Sequence, residues 1–401
     1  MHLVNNLLLL AGITNAVTLP PTRVIERAAT CTPQAGGSSS IDDVPAIQSA
    51  IAACPSGTIV IPPSSTYYIN SVFSFKGCAG CTLQIEGLLK VASNTDYWNG
   101  RAAIFDMSGI TGAKVYSSTG TGVIDGNGQE AWDRFARDSS YDRPTLFWIN
   151  GSRDVIVQNL RFKDAPNVFH SARGDSSNVR YIDIDLSAVS RSGNLPKNTD
   201  GWDIGPASHV SIAGATVAND DDCVAFKPGA SDVTVTDITC AGSHGLSVGS
   251  LGAKAGATDT VQNIRVSRAT MTGSTKAAGI KLYPGGASHG AAVVRNVTWE
   301  DIVVDDTEYA FQIQSCYNED ASYCQAAPSA AQLSEIVVRR VSGTTSSKYS
   351  PTIMNLNCPA GGTCGVTMSS ITVKPPSGSA RILCANTPAD LGVTCSSGAS
   401  G

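Results

Sequence analysis

Apolar and polar positions alternate through the middle of the chain in short bursts that return at intervals. Each burst opens on a polar residue and runs into β-branched or aromatic positions. The first three are Asp154-Val155-Ile156-Val157, Asn178-Val179-Arg180-Tyr181 and His209-Val210-Ser211-Ile212. Four more follow: Asp232-Val233-Thr234-Val235, Asn263-Ile264-Arg265-Val266, Asn296-Val297-Thr298-Trp299 and Glu335-Ile336-Val337-Val338. Alternation with period two predicts half-buried strands. The bursts start between 23 residues (His209 to Asp232) and 39 residues (Asn296 to Glu335) apart, a spacing that predicts stacked equivalent units. Short strands parted by Gly, Ser and Asn turns at this period fit an all-β chain wound as a parallel β-helix. A β-sandwich fits worse, because its turns recur about every 8–12 residues. Helical periodicity is sustained only near the start, where Ile41–Ala53 predicts a short helix capping the solenoid and shielding its strand edges. The C-terminal segment shows few strand signals and is expected to cover the other end. No linker rich in Pro or Ser divides the chain, so residues 28–401 are expected to form one domain.

Composition narrows the class. Of the 401 residues, 42% are hydrophobic and only 15% charged, which calls for a packed core and argues against disorder. The net charge of −5 with no basic cluster argues against a nucleic-acid partner, while leaving room for a polyanion if local cations line a cleft. The apolar run Leu7–Ile13, followed by Thr14-Asn15-Ala16, predicts a secretory signal peptide over residues 1–16. It is too short to span a membrane. A pro-piece over 17–27, ending near Glu26-Arg27, is expected to follow. Twelve cysteines fit an oxidising, extracellular setting. Ten lie as near neighbours: Cys78 with Cys81, Cys223 with Cys240, Cys316 with Cys324, Cys358 with Cys364, and Cys384 with Cys395. Cys31 and Cys54 then remain as the sixth pair. No compact set of four with histidines suggests zinc, and no metal or cofactor is expected. Asn150 and Asn296 open glycosylation sequons.

Candidate chemistry concentrates in three motifs on successive units: Asn198-Thr199-Asp200-Gly201-Trp202-Asp203, Asn219-Asp220-Asp221-Asp222-Cys223 and Gly242-Ser243-His244-Gly245-Leu246-Ser247-Val248-Gly249-Ser250. Asp200 and Asp221 are 21 residues apart, and His244 follows Asp222 by 22. In a coil of that length, residues one turn apart stack at about 4.8 Å. Asp200, Asp221, Asp222 and His244 are therefore expected to form one ladder on one face. Stacked carboxylates repel, so one must hold its proton while another stays ionised, as glycoside hydrolysis requires. Taken singly, these features have blander readings. An Asp cluster can be a solvated turn or a calcium site, and a histidine between glycines is usually a turn residue. The spacing favours catalysis. His170, His209 and His289 lack such company and are read as ordinary, and Asp203 as support for its turn.

Asn-Thr-Asp, Asp-Asp-Cys and Gly-Ser-His-Gly, in this order and spacing, resemble the polygalacturonases of glycoside hydrolase family 28. The resemblance covers roughly residues 31–395. It implies a right-handed parallel β-helix and a secreted hydrolase of pectic galacturonan that acts with inversion and without metal. Its carboxylates would lie closer together than the general separation for inverting enzymes. Carried over by position, Asp221 would be the general acid, Asp200 and Asp222 would activate the water, and His244 would orient the acid or influence its charge. Asn198 and Tyr309 match positions linked with substrate subsites. One departure stands out. Where polygalacturonases carry Arg-Ile-Lys, this chain reads Gly279-Ile280-Lys281. Lys281 remains as a partner for a galacturonate carboxylate, but a bidentate arginine fork is lost. Gly279 is expected to open room for a side branch. The runs around Gly279 and Tyr309–Cys316 are similar to the family's fungal endo-xylogalacturonan hydrolases, which implies a preference for xylose-substituted galacturonan. The rivals are an ordinary endo- or exo-polygalacturonase, a calcium-dependent pectate lyase on the same fold, and a non-catalytic carbohydrate-binding β-helix. A monomer is expected.

Overall fold

Val155, Val179, Val210, Val233, Ile264, Val297 and Ile336, the first apolar residue of each burst, stack in register into one buried column. This is seen in a computed structural model that describes residues 29–401. The expected signal peptide and pro-piece lie outside the described residues. A second column two positions on runs Val157, Tyr181, Ile212, Val235, Val266, Trp299 and Val338. Side chains of period two on a strand share one face, so the two columns together fill the interior.

Among the described residues the strands form two sheets, one of 15 strands and one of 12. The chain visits them alternately, and successive visits pair in parallel. Arg153–Lys163, Ser176–Ser187, Ala207–Ala218, Ala230–Ala241 and Thr258–Thr272 lie in the first sheet. The short strands His170–Arg173, Trp202–Ile204, Val224–Phe226, Leu246–Leu251 and Ala278–Leu282 come between and after them in the second. This is the parallel β-helix read from the periodicity.

The polar residue that opens each burst has a backbone role. Asp154, Asn178, His209, Asp232, Asn263, Asn296 and Glu335 all have φ between 51° and 56°. The residue five positions on in each unit repeats this, from Asn159 and Asp183 through Gly214 to Arg340. Left-handed backbone is tolerated best by Gly, Asn and Asp, whose short side chains can bond locally. Here those side chains bond between rungs. Asn178 Nδ2 donates to Asp154, Asn263 to Asp232, and Asn296 to Asn263. Asn296, read as a sequon, thus spends its amide hydrogen on the ladder, while Asn150 is half-buried at the end of Thr145–Asn150.

Three expectations need correction. The N-terminal helix is Val44–Ala53, shorter than predicted. Asp43 instead accepts from the Gly36 and Tyr68 amides at 2.6 and 2.7 Å, and Asp42 from Asn70, which ties the preceding turn to the first rungs. The C-terminal segment carries Thr363–Lys374 and Arg381–Ala385, which continue the two sheets rather than cover them. Its inward residues Val366, Met368 and Val373 are separated by Thr367 and then by four residues, Ser369, Ser370, Ile371 and Thr372, which breaks the alternation. The third is a helix over Gln129–Arg137 that the periodicity did not announce. It is nine residues long, too short for a sustained 3.6-residue signal.

The cysteines pair as the sequence suggests. Disulfides join Cys31 to Cys54, Cys78 to Cys81 and Cys223 to Cys240 in the first two thirds of the chain. Three more join Cys316 to Cys324, Cys358 to Cys364 and Cys384 to Cys395 toward its end. None of these last three bonds spans more than 11 residues, so each pins a local turn at the C-terminal end of the solenoid.

Candidate active site

The connections that lead from the first sheet into the second lie side by side on successive rungs, and they carry nearly all the chemistry. Ser187 to Trp202 holds Asn198 and Asp200, Ala218 to Val224 holds Asp221 and Asp222, and Ala241 to Leu246 holds His244. The next two hold Lys276 and Tyr309. Backbone hydrogen bonds lock the row: Gly201 N to Asp222 O at 3.0 Å, His244 N to Asp221 O at 2.8 Å, and Thr275 N to Ser243 O at 2.9 Å. The Cys223–Cys240 disulfide ties the Asp222 rung to the strand that leads to His244.

Asp200, Asp221 and Asp222 bring one oxygen each within 4.8 Å of one another. Each has different partners. Asp222 is buried, accepting from Ser247 Oγ at 2.8 Å and from Lys281 Nζ at 2.5 Å. Asp200 faces Lys227 Nζ at 3.7 Å, and Lys227 also meets Asp203 at 3.3 Å. Asp221 is the most accessible of the three, with a side chain 19% exposed. It accepts from Asn198 Nδ2 at 3.1 Å and from the Asp222 amide at 2.8 Å, and pairs with His244 Nδ1 at 3.3 Å. An open groove of ≈ 450 Å³ lies beside the row, lined by Phe135, Arg143, Asn198, Asp200, Asp203 and Lys227.

These environments drive the protons apart. Burial, reinforced by the charges of Asp203 and Asp221, holds the Asp200 carboxyl well above the usual range, with Lys227 opposing. Burial also pushes Asp221 upward, but the His244 hydrogen bond and charge, Lys281 and the Asp222 amide outweigh it and bring Asp221 down to about 2. His244 is raised, first by its hydrogen bond to Asp221. These shifts favour the neutral carboxyl at Asp200, and the carboxylate at Asp221 facing the imidazolium form of His244. Burial disfavours the charged form of Lys281, but Asp222 more than offsets it and raises the ammonium.

Asn198, Asp200, Asp221, Asp222, His244 and Lys281 thus meet at one place, the three aspartates and His244 as the ladder argument expects and Asn198 and Lys281 as positions that the resemblance singled out. Tyr309 lies two rungs beyond His244, stacked on Tyr349 with ring centroids 4.6 Å apart and not against the carboxylates. Gly279 sits on the outer face beside Ser247, but the space above it is not open. A Cβ there would lie 3.0 and 3.3 Å from Cδ and Cε of Lys276, and closer still to the Gln312 carbonyl oxygen. The room expected for a side branch at this position is filled by the Lys276 stem.

Sequence reasoning passed over several groups that act here. Arg143, buried and stacked 3.7 Å over the Phe135 ring, donates to Asn198 Oδ1 at 2.7 Å and to the Lys197 carbonyl at 2.6 Å. It thereby fixes which end of the Asn198 amide faces Asp221. Lys227 was missed as well, because it belongs to no motif and acts across a rung, and Ser247, although inside the histidine motif, was given no role of its own. The helix Gln129–Arg137 supplies Phe135. Its Gln129 and Asp133 also bind Arg191 N, Ser192 and Asn194, holding the loop that leads to Asn198. Asp203 bonds Lys227 beside the carboxylates rather than only supporting a turn. His170 lies inside the solenoid, stacked on Trp202 at 5.4 Å, and burial brings it down to about 3.

Comparison with known proteins agrees with this geometry. A probable endo-xylogalacturonan hydrolase A of Aspergillus flavus is 57% identical over 400 residues, covering 98% of each chain. The crystal structure of endo-xylogalacturonan hydrolase from Aspergillus tubingensis superposes with a TM-score of 0.92 at 57% identity, covering 93% of this chain and 100% of that one. Polygalacturonase from Erwinia carotovora, 19% identical, shares the fold with a TM-score of 0.71, over 92% of this chain and 99% of that one. The sequence model of glycosyl hydrolases family 28 matches residues 54–397, which hold every described strand after Thr30–Cys31, and the chain belongs to that family.

Proposed function

We propose that this glycoside hydrolase is a secreted, monomeric, single-domain enzyme that cuts α-1,4-galacturonosyl bonds within xylose-substituted galacturonan, with inversion and without a metal or cofactor. The observation that carries the reading is the position of Asp221. It is the accessible carboxylate of the row, linked to a protonated histidine on one side and to two buried carboxyl groups on the other. As a glycosidic oxygen settles against Asp221, the proton of the His244–Asp221 pair passes to that carboxylate and on to the leaving oxygen, so the C–O bond breaks with a neutral hydroxyl leaving. Asp200 and Asp222 hold a water on the other side of the sugar, and Asp222 accepts its proton as the water oxygen bonds to the anomeric carbon. Asn198, fixed by Arg143, keeps Asp221 in place. The xylose preference rests on the named activity of the relatives and on the missing arginine fork at Gly279.

Mass spectrometry of products from matched xylogalacturonan and polygalacturonan tests this reading. Xylose-bearing oligomers of several lengths from the first, with slow release from the second, are expected. Faster breakdown of the unbranched polymer would make the enzyme an ordinary polygalacturonase. Unsaturated products absorbing in the ultraviolet would make it a lyase.

A further inference from the structure

Four cationic side chains stand around the catalytic row, and three are already engaged. Lys281 is held by Asp222, Lys227 by Asp200 and Asp203, and Arg143 by Asn198 and two carbonyls. The fourth, Lys276, has no such partner among the described residues. It is only 5% exposed, yet no hydrogen bond or ion pair ends on its ammonium group, and only longer-range charges act on it. Its Nζ still reaches solvent at the end of a buried stem, so the ammonium is held in place by its surroundings and stays open to a ligand.

Its location suggests the use. Lys276 occupies the rung after His244, in the same connection between the sheets, so it extends the row Asp200, Asp221, His244 by one step. Its stem lies over Gly279 on the outer face, where Gly279 pairs with Ser247, the residue whose hydroxyl holds Asp222. Gly245 on the previous rung also leaves it room. A Cβ there would meet Lys276 Cγ at 3.0 Å, and its φ of +112° suits only glycine. The Lys276 stem thus runs beside two glycines, each of which also lies against a backbone carbonyl oxygen, that of Gln312 at Gly279 and that of Lys276 itself at Gly245. Burial brings the ammonium down to about 8, with Asp222 opposing, so it remains cationic at neutral and acidic pH.

We propose that Lys276 is the substrate-carboxylate receptor of this site, binding the galacturonate carboxylate one rung beyond Asp221 and His244 in place of the arginine absent at 279. Lys281, committed to Asp222, instead holds the base. The arrangement also explains Gly279: a side chain there would displace the lysine stem. Gly279 therefore acts by admitting a cation rather than by leaving a hole.

This inference rests on galacturonan being the substrate, and its test separates the two claims. The readout is the ratio of kcat/KM for galacturonan oligomers with free carboxyls to that for the same oligomers methyl-esterified. Hydrolysis of the free acid by the wild type checks the function, and the ratio checks Lys276. A charge-assisted hydrogen bond to a buried lysine corresponds to about tenfold to hundredfold in affinity. In Lys276→Met the ratio should fall by that factor, mostly through KM for the acid, and Lys276→Arg should recover much of it. Should the methionine variant not fold, Lys276→Gln, which keeps a polar tip, reads the same ratio. A ratio equal to that of wild type in the folded variant, or a loss confined to kcat, overturns the proposal. In the latter case Lys276 acts on Asp222 and His244 and not on the substrate.

Discussion

His244 Nδ1 lies 3.3 Å from an Asp221 oxygen, and this contact sets the expected pH behaviour. His244 is raised above its ordinary 6.5 by Asp221, so the protonated pair is complete below that value and is lost as pH climbs through the raised one. The kcat/KM profile on galacturonan should therefore fall on its alkaline side with an apparent midpoint above about 6.5. His244→Gln should remove that limb. Replacing Asp221 by Asn should abolish cleavage of the natural bond far more than cleavage of a galacturonide with a good leaving group, because only the former needs a protonated oxygen. Arg143 acts one step further back. Arg143→Met frees the Asn198 amide to turn, and a loss of roughly tenfold to hundredfold in kcat is expected from the misplaced acid. The circular dichroism spectrum should stay that of the wild type.

At the scale of elements, each rung is held by its left-handed corners and by the bonds between them. Asn178→Val puts a β-branched residue at φ 54° and breaks the bond to Asp154. A cost of about 1–3 kcal/mol is expected, read as a shift in denaturant midpoint. The Cys223–Cys240 bond closes a loop of 17 residues across two catalytic rungs. Its replacement by two serines should cost about 3 kcal/mol. The polar/apolar alternation was legible because it repeats seven times in register. The helix Gln129–Arg137 was not, because it is a short insertion whose buried residues, Gln129, Ala131 and Trp132, are too few to set a helical period.

For the whole molecule, the first rung is closed by Val44–Ala53, which buries Val44, Ile47, Ala50 and Ile51 over the sheet ends. Ile51→Ala should cost about 2–5 kcal/mol. The exposed strand edge should also make the variant aggregate on heating, a change that light scattering would detect. Three carboxylate oxygens within 4.8 Å resemble a cation site, but the Lys281 and Lys227 ammonium groups already face Asp222 and Asp200. A divalent ion would be repelled by both, so activity should be the same in EDTA as in calcium.

The sequence by itself determined the repeat, the β-helix and the catalytic ladder. Residues one rung apart in a solenoid are also one coil apart in the chain, so sequence spacing becomes spatial distance. That is why Asp200, Asp221, Asp222 and His244 could be placed together from their numbers alone. The six cysteine pairs were legible for a related reason: all are close in sequence. Only the tertiary structure decided which cation serves which carboxylate. Lys227, Ser247, Lys281 and Arg143 reach the row from strands and loops whose side chains have several possible neighbours, and their choice depends on direction and burial. Lys276 shows the difference most directly. In the sequence Gly279 is a missing side chain, whereas in the fold the same position is where a lysine from three residues earlier lies.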